Sequence, residues 1–302
     1  MSAEAAVETT ATGRAGAEFV NPAALGAVII WSATAPVGKY ALEDFPALAY
    51  SALRPLIAAA LLFAILIYRK QRLLLPSADL RRIVLVGAFG LGLSQLCFIG
   101  ALARTSVAHT VILASVSPIV VALYRVTVKR APLPVSAMLG IGGGFIGVLL
   151  LVGGAAGESE TSLVGDGLAF VSALTWMAVT IWPAAVFERH GTTRPMAWML
   201  ASSLLVSLPL AATALVETAR DTPPALAWAA LLYSALFGSL LGGALWQRAV
   251  LQVGASRTLI YMYLQPVGAM VLAALMLGER LTSIQAVGGA LALIGVGLVR
   301  RG

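Results

Sequence analysis

The sequence predicts an all-α integral membrane protein of about ten transmembrane helices, arranged as two inverted-topology five-helix repeats. Three observations carry that expectation: a composition too apolar for water, a series of apolar stretches of membrane length, and two halves that can be laid over one another. Of the 302 residues, 60% are hydrophobic and 11% charged, with a mean hydropathy of +0.93. A soluble domain carries about 25% charged residues. Too little polar side chain is present to coat a water-facing surface, and lipid is the expected solvent.

The net charge of +7 is spread as short basic clusters between apolar blocks. That is the pattern of the positive-inside rule, not a basic helix face suited to nucleic acid. The single cysteine, Cys97, lies inside an apolar block. It excludes an intramolecular disulfide and suggests no thiolate metal site.

Taken in order, residues 1–20 are polar and expected as a cytoplasmic tail. Ala33-Thr34-Ala35 has the look of a signal-peptidase site, but its block has a counterpart in the second half and is kept as a helix. A crossing needs about 20 apolar residues, a helix of about 30 Å. Such stretches fall near 22–41, 46–68, 83–103, 108–127, 135–153, 166–187, 196–216, 225–247, 256–277 and 284–299. Turn residues punctuate them: Asp44, Pro76, Pro134, Gly191, Pro223-Pro224, Gly254 and Gly278. With both termini cytoplasmic, clusters such as Arg69-Lys70, Arg81-Arg82, Lys129-Arg130 and Arg300-Arg301 fall inside, and only Arg104, Arg220 and Arg280 fall in outside loops.

Gly90 to Leu151 lies over Gly238 to Val299 without a gap, at a constant offset of about 148 residues. Matched positions include Gly90/Gly238, Thr110/Thr258, Pro118/Pro266 and Gly140/Gly288, and Trp31 pairs with Trp176. The chain divides into the tail, a first repeat at 21–153, an extracytoplasmic linker at 154–165 and a second repeat at 166–302. Five spans per repeat invert the second copy, an arrangement that places a binding site near the bilayer midplane.

Ser115-Val116-Ser117-Pro118 in the first copy, and Tyr263-Leu264-Gln265-Pro266 followed by Leu277-Gly278-Glu279-Arg280-Leu281 in the second, resemble the repeat unit of the drug/metabolite transporter superfamily, EamA type. The first copy has Lys129-Arg130-Ala131-Pro132 where the second has its Gly-Glu signature. The resemblance covers residues 20–300 and is nearest the exporters of aromatic amino acids. It implies a secondary carrier of the cell (inner) membrane, with no cofactor, whose fourth and ninth spans line the path.

Polar groups within spans are costly when presented to lipid, so they are expected to face a cavity or a neighbouring helix. On the ninth span Thr258, Tyr261 and Gln265 share a helical face, and the fourth presents Thr110 and Ser117. Ser94, Gln95, Trp246 and Gln247 on the third and eighth spans, with Trp31 and Trp176 on the first and sixth, complete the expected path. Interhelical bonding, worth on average about 0.6 kcal/mol, is the bland alternative for each. Pro118 and Pro266 are expected mid-helix as kinks or hinges. Lys39 and His109 fall near the outer interface, where snorkelling is expected. Arg54 lies deeper and needs a partner or an aqueous pocket. A contact to carbonyls or to Glu43 and Asp44 is the favoured expectation for it, with Lys39 and Arg54 kept as candidates for a substrate carboxylate.

No acid lies inside an expected span, which points to facilitated diffusion or exchange instead of proton antiport. Hydroxyls, amides and rings suit a neutral or zwitterionic solute with an apolar part. Sugar phosphates would want more cations, and lipophilic cations, the second choice, would want a buried acid or an aromatic cage. The expected partners are a small molecule and the lipid bilayer, with no nucleic acid and no metal, and the chain is expected to act as a monomer. Neither a Ser/His/Asp cluster nor an HExxH run suggests an enzyme, and no charged ring suggests a channel.

Overall fold

A computed structural model describes residues 20–105, 110, 113–128, 130, 133–153, 162–268, 272 and 283–301. Most of the expected tail, His109, most of the 154–165 linker and the Gly278–Leu281 signature lie outside the described residues. Those residues contain no β-strand. The elements are α1 (Pro22–Ala41), α2 (Ala47–Tyr68), α3 (Ser77–Leu102), α4 (Ser117–Thr127), α5 (Val135–Gly153), α6 (Leu163–His190), α7 (Thr193–Arg220), α8 (Ala225–Val253), α9 (Ala255–Leu259, continued by a 3-10 turn at Ile260–Tyr263) and α10 (Ser283–Arg301). By length and composition α2, α3, α6, α7 and α8 are each long and apolar enough to cross a membrane. The apolar parts of α5 and α10, Val135–Leu150 and Ala286–Leu298, are shorter.

Local chemistry sets the ends. Asn21 caps α1, its side chain accepting from the Ala24 amide at 2.9 Å with Pro22 opening the helix. Ser162 caps α6 by accepting from the Gly165 amide. Gly254 separates α8 from α9 at φ +83°, a left-handed conformation that side chains resist. Large apolar side chains such as Phe89, Leu139 and Ile294 stand exposed, as expected where lipid is the solvent.

α2 packs on α7 and α5 on α10, each helix against the one that the offset of the halves makes its counterpart; α3 packs on α6, and α8 on α1. One end of the bundle gathers the start of α3 and the end of α6, where Asp79 pairs with Arg189 and with His190 Nε2, the latter at 2.7 Å. The start of α7 joins it through Trp198 Nε1, which donates to the Leu73 carbonyl. At the other end Lys39 Nζ donates to the Leu102 and Thr105 carbonyls, and Phe45 meets Trp228 edge to face.

The α5–α10 contact depends on repeat-matched glycines. A Cβ on Gly147 would lie 2.5 Å from the Ala292 amide nitrogen, and one on Gly295 would lie 2.6 Å from the Gly140 carbonyl oxygen. Backbones this close leave no room to shift. Gly147→Leu is expected to part the two helices and destabilise the fold by about 1–3 kcal/mol or more, the usual range for overpacking, read as a fall in the melting temperature of the purified protein. The Gly142-Gly143-Gly144 run on α5 is used for packing only in part. Only Gly144 is closely packed, against the Tyr263 ring, while Gly142 and Gly143 have open space where a Cβ would stand.

Two helices depart from α geometry at matched places. α3 contains a π-helical segment at Val86–Gly92 and α8 one at Ser234–Gly242. Such segments leave carbonyls free for side chains and recur at functional sites.

Candidate functional site

A two-lobed cavity lies between α1, α2, α3 and the helices of the second half. One lobe, about 590 Å³ counting its open part, is lined by Thr34, Arg54, Ser94, Gln95, Phe98, Ser117, Ser172, Met262 and Gln265 among others. The second, about 500 Å³, is lined by Leu91, Met196, Met199, Ser239, Trp246 and Gln247 among others. Trp31, Arg54, Gln95 and Trp176 line both. Phe98 and Trp246, one in each lobe, are repeat-matched positions.

Three indoles stand at the junction. Trp31 meets Trp176 edge to face at 5.3 Å and Trp246 at 5.1 Å, while Trp176 and Trp246 are 6.1 Å apart. Their N–H groups fare differently. Trp31 Nε1 donates to the Gly238 carbonyl at 2.9 Å, inside the π segment of α8. Trp246 Nε1 donates to Thr180 Oγ1 at 3.2 Å. Trp176 Nε1 is buried without a partner among the described residues. Around Trp31 and Trp176 the two halves match closely: the Thr34 methyl is 3.1 Å from a Cβ built on Gly238, and a Val179 methyl is 3.1 Å from one built on Gly90.

Of the residues singled out from sequence, Trp31, Arg54, Ser94, Gln95, Ser117, Trp176, Trp246, Gln247 and Gln265 come together on this cavity. Some of their polar groups are already engaged. Ser94 and Ser172 bond reciprocally between α3 and α6. Ser117 Oγ donates to the Ala114 carbonyl at 2.8 Å, the acceptor that Pro118 leaves vacant because it has no N–H. Gln247 Nε2 donates to the Val179 carbonyl, leaving its Oε1 buried and unpaired. The half-buried Gln95 amide makes no bond to a described residue.

The others lie elsewhere. Tyr261 is buried with its hydroxyl accepting from the Asn21 amide at 2.9 Å, and Thr258 bonds back to the Gly254 carbonyl. Thr110 is buried and lines neither lobe, and Lys39 caps the end of α3 instead of reaching the cavity. Pro118 stands in the first turn of α4, just after a break at Ser115–Val116, and not mid-helix. Pro266 follows the 3-10 turn Ile260–Tyr263. Both prolines sit just beyond a loss of α geometry, as expected where an i−4 bond is missing. Among the described residues Arg54 meets neither Glu43 nor Asp44, nor a carbonyl. Its Nη2 donates to Ser239 Oγ at 3.2 Å and its guanidinium lies 5.8 Å from the Tyr50 ring centre. Ser239, Met196 and Met199 were not foreseen. The i, i+3 spacing of the two methionines was the available signal.

An all-helical bundle with crossing-length apolar helices around a polar and aromatic cavity has the architecture of a membrane transport protein. The EamA-like transporter family matches residues 19–153 and again residues 163–301, and the chain belongs to it. The resemblance to the drug/metabolite transporter superfamily thus holds. The chain is 26% identical over 283 residues to the uncharacterized transporter YyaM of Bacillus subtilis (strain 168), covering 90% of each. It is 28% identical over 281 residues to the uncharacterized transporter YdeK of the same organism, covering 90% of this chain and 91% of the other. An uncharacterized transporter of Archaeoglobus fulgidus is 25% identical over 274 residues, covering 89% and 93%. A solved structure described only as the crystal structure of a protein shares the fold with a TM-score of 0.70 at 18% identity, over 92% of this chain and 96% of that one.

Proposed function

We propose that this transporter is a secondary carrier of small neutral or zwitterionic metabolites, best fitted to export aromatic and other neutral amino acids by alternating access. The carrying observation is the cavity itself: three indoles contributed by both halves, with the Gln95 amide and the Gln247 Oε1, neither bonded to a described residue, beside them. Indole faces suit an apolar side chain, and the amides suit the polar end of an amino acid. In this reading ten spans form two inverted repeats, the basic clusters face the cytoplasm with both termini, and one chain holds the whole path. The breaks before Pro118 and Pro266 act as hinges. A lipophilic cation would have to sit beside the charge of Arg54, which disfavours that solute class.

The test is uptake of radiolabelled amino acids into proteoliposomes. Saturable flux of aromatic or neutral amino acids is expected, reduced about tenfold or more in Gln95→Ala and Gln265→Ala if each loses a bond made in the occluded state. The flux is expected to be unchanged by an imposed pH gradient, since no acid lies in the interior of an expected span and Asp166 only opens one. Uphill movement driven by that gradient would overturn the uncoupled mechanism, and absence of flux for every amino acid would overturn the substrate class.

A further inference from the structure

We propose that Arg54 is the anchor for a carboxylate of the transported solute, so that the cavity selects monocarboxylates with an apolar body. This rests on the carrier reading and adds the group that the cavity recognises.

Arg54 is 6% exposed and lines both lobes. Its surroundings supply, among the described residues, one hydroxyl, Ser239 Oγ, and one ring, Tyr50, while Nε is buried without a partner. Among the described residues no acid pairs with it. A guanidinium does not give up its proton in a protein. A buried cation without a counter-charge is strongly destabilising, and a single hydroxyl does not offset that. The site is therefore complete only when an anion enters.

The kind of anion follows from the count and the geometry. One guanidinium matches one carboxylate through paired N–H donors, whereas a phosphate dianion is met by several cations. Among the described residues, Arg54 is the only Lys or Arg lining either lobe. Gln247 adds a second requirement. Its Nε2 is committed to the Val179 carbonyl, which fixes the amide orientation and leaves Oε1 as a buried acceptor. An ammonium group on the solute would satisfy it. The complement of the cavity is thus an apolar body with a carboxylate, and with an amine as a secondary feature.

The experiment is equilibrium binding to the purified full-length chain, read by quenching of tryptophan fluorescence, with four probes on one skeleton: phenylalanine, 3-phenylpropionate, phenylalaninamide and phenethylamine. The two acids are expected to bind about tenfold to a hundredfold more tightly than the amide and the amine, the usual worth of a charge-assisted hydrogen bond. Arg54→Gln is expected to erase that preference, and Arg54→Lys to keep it with weaker binding. If Arg54→Gln does not fold, the wild-type panel and Arg54→Lys decide. Equal binding of acid and amide, an acid preference surviving in Arg54→Gln, or binding of none of the four to the wild type overturns the proposal. Solute flux in proteoliposomes without acid preference removes the anchor and leaves the carrier standing, while acid-selective binding without flux removes the carrier and leaves the anchor.

Discussion

Replacing Trp246 with alanine is expected to cost about 3–5 kcal/mol of stability, the range for large-to-small aromatic substitutions in a core, and to abolish solute flux. The side chain is fully buried, lies tilted against Trp31 and Trp176, and ties α8 to α6 through Thr180. Removing it enlarges the second lobe beside the other two indoles and frees both to reorient. Trp246→Phe separates the ring from the bond. Phe98 occupies the matched position in the other lobe, so a phenyl ring is compatible with this geometry. That variant is expected to lose only the Thr180 bond, about 0.5–1.5 kcal/mol, and to keep measurable flux. Thermal unfolding in detergent and uptake in proteoliposomes measure the two effects. A Trp246→Ala protein as stable as wild type would show that the indole cluster contributes nothing to the fold.

Trp31→Phe and Trp176→Phe are expected to shift the conformational balance of the transporter in opposite directions. In this conformation Trp31 Nε1 holds the Gly238 carbonyl while Trp176 Nε1 has no partner. Val179 lies against Gly90 just as Thr34 lies against Gly238. If the inverted halves exchange roles during the cycle, the Gly90 carbonyl receives Trp176 in the opposite conformation, and Trp31 gives up Gly238. Trp31→Phe then removes a bond from the conformation described here, and Trp176→Phe removes one from its alternate. One hydrogen bond of about 0.5–1.5 kcal/mol shifts the ratio of the two states roughly twofold to tenfold. The measurement uses Gln95→Cys in a Cys97→Ala background and labels it in sealed vesicles with an impermeant thiol reagent added to either side. The side preference is expected to rise in one variant and fall in the other. A shift in the same direction for both rules out the exchange.

Much of this was legible in the sequence because a bilayer constrains it so strongly. α1 follows its expected limits since Asn21 and Pro22 start it unambiguously. α8 outruns its expected end at 247 because Arg248 and Gln252 extend it past the apolar core, with Gln252 bonding to the Asn21 side chain. The Trp and Gln residues of the cavity stood out as polar or amphipathic groups in otherwise apolar helices. Tyr261 was placed on the cavity face by assuming an unbroken 3.6-residue period. The 3-10 turn Ile260–Tyr263 advances about 120° per residue instead of 100°, which turns Tyr261 towards Asn21 while Gln265 keeps its place on the cavity. The π segments left only a run of glycines as a trace, since a change of hydrogen-bond register alters no hydropathy. The depth of Arg54 is legible in the sequence, as is Tyr50 one turn earlier on α2, but its hydrogen-bond partner Ser239 comes from the second half of the chain.

The solitary charge of Arg54 also bears on how the membrane voltage acts on transport. A fixed cation that returns empty after each cycle contributes nothing to the net charge moved, which equals the charge of the solute alone. A zwitterionic amino acid therefore crosses silently, at the same equilibrium whatever the potential. A monoanion bound by the same guanidinium crosses as current, and each 100 mV is worth about 2.3 kcal/mol, roughly a fiftyfold concentration ratio. With the cytoplasm negative, that current runs in the direction of anion efflux; if Arg54 anchors a carboxylate as proposed, the potential would drive a monoanion outward while leaving a zwitterion unaffected.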